Sequence, residues 1–209
     1  MPKPGMVIVA GPPGSGKSTR FPLQAFGFDW FNADDRAAQV NAGSYRRISK
    51  EIRAQVNVEF QRWILDHITS RKSFAIETTL RSPITFEQAR VARKHGFSTA
   101  IRYVSAGSVE ESVRRVTERS YRGGHSASER LVAEIYQKST RNLLTVLDFQ
   151  QSQIEFVHVY DNSRFGKPII RLLTMRLGRI TYVSDNMNPW LKQLLKGSRF
   201  DIENLRKAP

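Results

Sequence analysis

The sequence predicts an α/β fold: a mostly parallel five-stranded sheet layered by helices on both faces, followed by a small C-terminal β-hairpin and helix. Three observations carry that expectation. Short apolar runs of strand length alternate with longer stretches whose apolar residues recur at helical spacing. The first run, Met6–Val9, passes through a glycine-rich turn straight into a helix. Finally, the strand-like runs end in polar clusters, namely Asn32-Ala33-Asp34-Asp35, Glu77-Thr78-Thr79 and Asp161-Asn162-Ser163. Polar strand ends of this kind suit an open parallel sheet, whose ligands bind beyond the carboxyl ends of the strands.

The glycine-rich turn is the most specific feature. Gly11, Pro12, Pro13, Gly14, Ser15, Gly16, Lys17 and Ser18, with Thr19 following, fill G-x-x-x-x-G-K-[ST] at every fixed position. Glycines let backbone N–H groups converge on an anion, and a helix starting near Gly16 adds its positive end. Lys17 supplies a point charge for β and γ phosphates, and the Ser18 hydroxyl can ligate Mg²⁺. A plain surface turn is the alternative, but it does not require this spacing between a strand and a helix.

Composition bounds the rest. The 209 residues are 40% hydrophobic, enough for one domain with a real core. No run reaches the roughly 18 apolar residues of a membrane helix, and the absence of cysteine excludes disulfides and thiolate chemistry. A cytoplasmic location and no membrane association are therefore expected. The net charge is +14, and residues 163–209 hold ten Lys or Arg against three Asp or Glu, half of that excess. Such a bias favours nucleotides, sugar phosphates, nucleic acid or an acidic protein as partners.

Taken in order, a helix is expected from Ser18 to about Phe26, then a strand at Trp30-Phe31 ending at Asp34 and Asp35. A carboxylate there can take a proton from a substrate hydroxyl or hold Mg²⁺ through water, or it can simply cap the next helix. A helix follows from about Ser44 to Ser70, its stripe formed by Val56, Phe60, Trp63 and Ile64. The strand Lys72–Thr79 brings Glu77, Thr78, Thr79 and Arg81 to the same rim as Asp34. Glu77 needs a cation or a hydroxyl there, with pairing to Arg81 as the structural alternative. Pro83–His95 reads as a helix, Thr99–Val104 as a strand, and Ser108 as the cap of a helix with Val109, Val113 and Val116 on one side. Arg115, Arg119 and Arg122 share another side of that helix, which suits a lid over a transferring phosphoryl group or a solvated face relieved by Glu118. Gly123-Gly124-His125 reads as a hinge, Ser128–Asp148 as a helix and Phe156–Tyr160 as the fifth strand. Pro168–Thr174 and Ile180–Val183, separated by a turn containing Gly178, form the expected hairpin, and Asn188–Leu195 the last helix. The organisation expected is a nucleotide-binding domain over 1–163, with a lid at about 108–130, and a basic appendage over 164–209 packed on it.

From Val7 to about Trp190 the chain resembles the zeta toxin family of P-loop kinases, particularly its short bacterial members. The anchors are GPPGSGKST, FNAD at Phe31–Asp34, AIETTLR at Ala75–Arg81, RVTER at Arg115–Arg119 and GGH at Gly123–His125. Tyr136-x-x-Ser139-x-x-Asn142-Leu143, YDNS at Tyr160–Ser163 and PW at Pro189-Trp190 complete them. The resemblance implies an ATP- or GTP-dependent kinase acting with Mg²⁺ on a sugar hydroxyl, with UDP-N-acetylglucosamine and its relatives as the known substrates. By that similarity Asp34 is the general base. Lys17 and two arginines among Arg115, Arg119 and Arg122 hold the γ-phosphate, and Glu77, Thr79 and Arg81, beside Thr78, line the substrate pocket. Where the family often shows Arg-Tyr-x-Arg-Ser, this chain has Ile135-Tyr136-Gln137-Lys138-Ser139. A separate protein antitoxin is a further partner the resemblance suggests. Two rival functions remain at this level: a regulatory P-loop NTPase, and a nucleic-acid-directed enzyme or binder using the basic C-terminal region. Against the latter, that region shows little aromatic interleaving along the chain.

Overall fold

A computed structural model of the chain describes residues 2–121, 127–164 and 166–201. Its strands are β1 (Gly5–Ala10), β2 (Asp29–Phe31), β3 (Phe74–Thr78), β4 (Ser98–Ser105), β5 (Phe156–Asp161), β6 (Ile170–Arg176) and β7 (Arg179–Val183). The helices are α1 (Lys17–Arg20), α2 (Ala33–Val40), α3 (Lys50–Thr69), α4 (Ile84–Lys94), α5 (Val109–Tyr121), α6 (Glu129–Leu147), α7 (Phe149–Ser152) and α8 (Pro189–Leu195). All seven strands form one sheet in the order β2-β3-β1-β4-β5-β6-β7. The first five in that order run parallel, and β6 and β7 add antiparallel. The order reverses direction on either side of β1, so the crevice above its C-terminal end is the switch point where such sheets bind ligands. No described helix is long and apolar enough to cross a membrane.

Four local expectations are corrected. The sheet has seven strands rather than five, because the predicted hairpin pairs along the free edge of β5 and continues the sheet. The helix after the glycine-rich turn stops at Arg20, and Leu23–Phe26 forms a separate 3₁₀ turn. Pro22 is the reason: it cannot donate to the helical ladder and it keeps Phe21 out of the α region, at φ −136° and ψ 69°. The long helix begins at Lys50, capped by Ser49, rather than at Ser44. Ahead of it, residues 33–40 form a helix of their own whose cap is Asn32, which accepts from the N–H groups of Asp34 and Asp35. Asp34 is therefore not the cap; it sits in the first turn.

The two faces of the sheet differ. On one, Met6, Ile8, Phe74, Ile76, Ile101 and Val157 are buried with apolar residues of α3, α4, α6 and α8. On the other, Leu23, Phe21 and Phe26 cover Val7, Val9 and Ala75 of β1 and β3. Burying even one Leu-sized side chain fully is worth about 1.5–3 kcal/mol, so the larger core fixes the sheet while the smaller patch seats α1 beneath the glycine-rich turn.

Candidate active site

The turn between β1 and α1 is built so that only its own residues fit. Gly11 has φ +141°, and a Cβ there would lie 2.0 Å from the Val104 carbonyl oxygen. Gly16 has φ +88°, and its Cβ would meet Asn162 Nδ2 at 2.4 Å. Neither position tolerates a side chain. Two side chains, Asn162 and Arg115, hold the turn from outside, and Arg20 braces the first of them. Asn162 Nδ2 donates to the Ser15 carbonyl at 2.9 Å, while its Oδ1 accepts from Arg20 Nε at 3.1 Å. Arg20 also donates to the Lys167 carbonyl at 2.7 Å. Arg115 donates to Glu111 Oε1 at 2.6 Å, to the Ser163 carbonyl at 3.1 Å and to the Gly14 carbonyl at 3.5 Å.

Lys17 lies buried inside the turn, its Nζ donating to the carbonyls of Gly11 and Pro12 at 2.9 and 3.1 Å. Burial pushes its pKa below the usual lysine range. Glu77 and then Asp34 oppose that shift, and Arg119 adds to it. Those influences bring Asp34 and Arg119, from α2 and α5, into the electrostatic field of the same ammonium. Ser15 is also buried, and its Oγ has no hydrogen-bond partner. A buried hydroxyl left over beside a buried ammonium is the composition of a phosphate cradle.

Ser18 Oγ donates to Glu77 Oε2 at 2.8 Å, and Glu77 Oε1 stands 4.0 Å from Lys17 Nζ. Glu77 thus meets the P-loop, and its described partners do not include Arg81. A hydroxyl and a carboxylate make a hard-oxygen donor pair, which fits Mg²⁺ as bound in kinases: one or two protein oxygens, with phosphates and waters completing the octahedron. No three His, Cys, Asp or Glu side chains cluster as a metal site among the described residues.

Asp34 is half-exposed, with Arg53 Nη1 3.5 Å from its carboxylate. Beside it, Tyr45 Oη donates to Asp35 at 2.8 Å, and that bond pushes the Tyr45 pKa up to about 12. Thr78 Oγ1 accepts from Leu80 N–H at 3.1 Å, closing a turn in which Leu80 has φ +57°. Asn142 Nδ2 fixes the same turn by donating to the Leu80 carbonyl at 2.8 Å. This explains part of the Tyr-x-x-Ser-x-x-Asn-Leu pattern: Asn142 holds the chain just past Glu77, and Ser139 bonds the buried Tyr103 hydroxyl at 3.2 Å. Thr79 is half-buried and Arg81 exposed beyond it.

The three arginines of the expected clamp separate. Arg115 is engaged by Glu111 and two backbone carbonyls, Arg119 is exposed and its charge helps to lower the Lys17 pKa, and Arg122 lies outside the described residues with Gly123-Gly124-His125. Glu118, the expected partner of Arg122, pairs with Arg114. Residues the sequence reading left without a role are Arg20, Asn32, Tyr45, Arg53 and Asn162. Only Asn32 carries a local signal, an Asn just before a helical segment opening with acidic residues.

Comparisons with known proteins bear on the family and the fold. The Zeta toxin family model matches residues 1–166. An uncharacterized protein of Haemophilus influenzae is 28% identical over 134 residues, covering 62% of this chain and 91% of its own. The AvrRxo1-ORF1:ORF2 complex crystallised with ATP superposes with TM-score 0.67 at 14% identity over 87% of this chain. This chain spans about three fifths of that structure, 61% of its length. The PezAT chromosomal toxin–antitoxin system of Streptococcus pneumoniae superposes with TM-score 0.55 at 15% identity, covering 99% of this chain and 84% of its own. With the family model matched over 166 of 209 residues, the chain belongs to the Zeta toxin family and carries its P-loop kinase fold.

Proposed function

We propose that the protein transfers the γ-phosphoryl group of ATP, with GTP as the alternative donor, to a hydroxyl of a small molecule, a UDP-sugar such as UDP-N-acetylglucosamine. The observation that carries this is the meeting of Lys17, Ser18 and Glu77 at one point of the sheet rim, with Asp34 and Arg119 in the same field. An NTPase that only switches needs the first three; a carboxylate half-exposed on the acceptor side is what a kinase adds. The crystallisation of AvrRxo1 with ATP supports the donor, and family membership supports the acceptor class.

In this reading the Gly11–Ser18 backbone and Lys17 hold the β and γ phosphates. Ser18 and Glu77 hold Mg²⁺, which when bound neutralises charge across the phosphate oxygens. The acceptor hydroxyl points at Asp34, which takes its proton as the new O–P bond forms and the bond to the β-phosphate oxygen breaks, releasing ADP. Arg53 orients the Asp34 carboxylate, and Arg119 stabilises charge on the transferring group. Thr79 and Arg81 lie on the acceptor side, with Thr78 holding the turn that carries them. Arg115 supports the loop from behind. The reaction is set in the cytoplasm, where ATP and nucleotide sugars are made. The toxin–antitoxin character of the PezAT relative supports a protein inhibitor as partner.

The test is Mg²⁺·ATP turnover by the wild type and Asp34→Asn, with and without a panel of UDP-sugars, products being resolved by mass spectrometry. A phosphorylated sugar nucleotide made by the wild type and lost in Asp34→Asn is expected. ATP hydrolysis indifferent to every acceptor overturns the kinase reading in favour of a regulatory NTPase.

A further inference from the structure

From β4 to β7 the face of the sheet turned away from the large core is lined by cations and rings. Strand register aligns Arg102, His158, Thr174 and Tyr182 in one row and Ala100, Phe156, Arg176 and Arg179 in the next. Tyr160 and Arg171 pair above them. Arg171, Arg176, Arg179 and Tyr182 are exposed, and Phe156, His158 and Tyr160 half-buried. Their neighbours along the strands, including Val157, Val159, Leu173 and Met175, are buried on the other face with α4, α6 and α8. Neither row contains a carboxylate.

The cations are ordered by the rings. Arg171 lies 4.8 Å above the Tyr182 ring, Arg176 5.5 Å above Phe156, and Arg102 4.9 and 4.8 Å above Phe21 and Phe26. Burial and the nearness of Arg102 and Arg171 lower the His158 pKa, leaving a flat uncharged ring among them at neutral pH. The aromatic interleaving missing along the chain is supplied across the strands.

We propose that this face binds single-stranded nucleic acid: Arg171 and Arg176, which lie over the Tyr182 and Phe156 rings in the free protein, swing with Arg179 onto phosphates and leave those rings to stack on bases. Charge complementarity selects an anionic partner, and the rings select among anions. A duplex keeps its bases stacked inside, out of reach of the sheet, and an acidic polypeptide pairs with the guanidinia but leaves the rings idle. Single strands offer phosphates and free base faces together. Phe21 and Phe26 cover the β4 end, so the accessible part runs over β5, β6 and β7, which at about 4.8 Å spacing span about 10 Å, room for two or three nucleotides. Its exposed residues lie on β6 and β7, beyond β5 from the strand that carries the phosphate turn, and the proposal does not rest on the kinase reading.

The experiment is fluorescence anisotropy of the full chain with labelled 12-nucleotide dT and rU, in saturating Mg²⁺·ATP so that the phosphate turn is blocked. Saturable binding to either strand is expected, weakening about tenfold between 50 and 150 mM salt if three phosphates are contacted. Arg171→Ala with Arg176→Ala should lower the salt slope by about 1.4, and Tyr182→Ala should weaken binding at least about fivefold. Thermal melting establishes that each variant is folded; if Tyr182→Ala is not, the exposed Arg171→Glu replaces it, with at least about tenfold weakening expected. Absence of binding, indifference to these substitutions, or displacement by a duplex or by oligoglutamate as readily as by unlabelled dT overturns the proposal. A difference between dT and rU names the preferred strand within it.

Discussion

Replacing Glu77 by Gln removes one charge and little shape. The carboxylate accepts from Ser18 Oγ at 2.8 Å, and an amide oxygen can accept the same bond. What disappears is the pairing with Lys17 Nζ at 4.0 Å. A full charge pair at 4 Å is worth about 4 kcal/mol at an effective dielectric of 20 and about 1 kcal/mol in water. With Lys17 at 7% and Glu77 at 14% side-chain exposure, the pair lies nearer the first limit. If about 2.7 kcal/mol of that is expressed in the transition state, kcat falls about 10²-fold. The pH profile gives a second, independent reading. Burial already lowers the Lys17 pKa and Glu77 opposes it, so the substitution lowers it further. Lys17 binds phosphate only as the ammonium, and the alkaline limb of kcat/KM therefore moves to lower pH. ADP release followed between about pH 6 and 10 tests both, with Mg²⁺ titrated at each pH. A kcat within twofold of wild type and an unmoved alkaline limb would refute the assignment of Glu77 to the phosphate and metal side.

Three further outcomes follow from the same contacts. Asn162→Ala removes hydrogen bonds to the Ser15 carbonyl and to Arg20, costing about 2–4 kcal/mol in total and weakening ATP binding measured by calorimetry. Arg115→Ala and Arg119→Ala should separate: the first lowers the melting temperature and raises the KM for ATP, whereas the second lowers kcat with an unchanged melting temperature. Equal effects of the two would mean that Arg115 clamps phosphate after all. Leu143→Ala, at a position with no exposed surface, should destabilise by about 3 kcal/mol and lower the melting temperature by about 6–12 °C in a chain of this size.

The strands were legible because each is a short apolar run closed by polar residues, and all five parallel strands lie where those runs predict. Boundaries failed where one residue outweighed a pattern. Pro22 stops α1 although the apolar spacing continues past it, and Asn32 starts a helix in a stretch whose acidic residues read as a strand end. The hairpin was visible from Gly178 and its flanking runs, but its place was not. Nothing local says whether an antiparallel pair stands alone or joins the edge of β5; that follows from the free hydrogen-bonding edge the fold leaves there.

The site divides the same way. Lys17 and Ser18 are read from a motif whose chemistry is contained in eight consecutive residues. Glu77 could be placed at the correct rim, yet its partner could not be named, because Ser18 and Glu77 are 59 residues apart and meet only through the pairing of β1 with β3. That register puts Glu77 beside Val9, on the side of the sheet where α1 packs, and puts Thr78 on the opposite side. One position of slip would exchange their roles. Strand parity thus decides which face of the sheet a strand-end carboxylate takes, and in this chain it puts Glu77 on the α1 face, against Ser18 and Lys17. Asp34, carried on the first turn of α2 instead of a strand, escapes that constraint, which is why the base we propose comes from a helix after β2 rather than from another strand end.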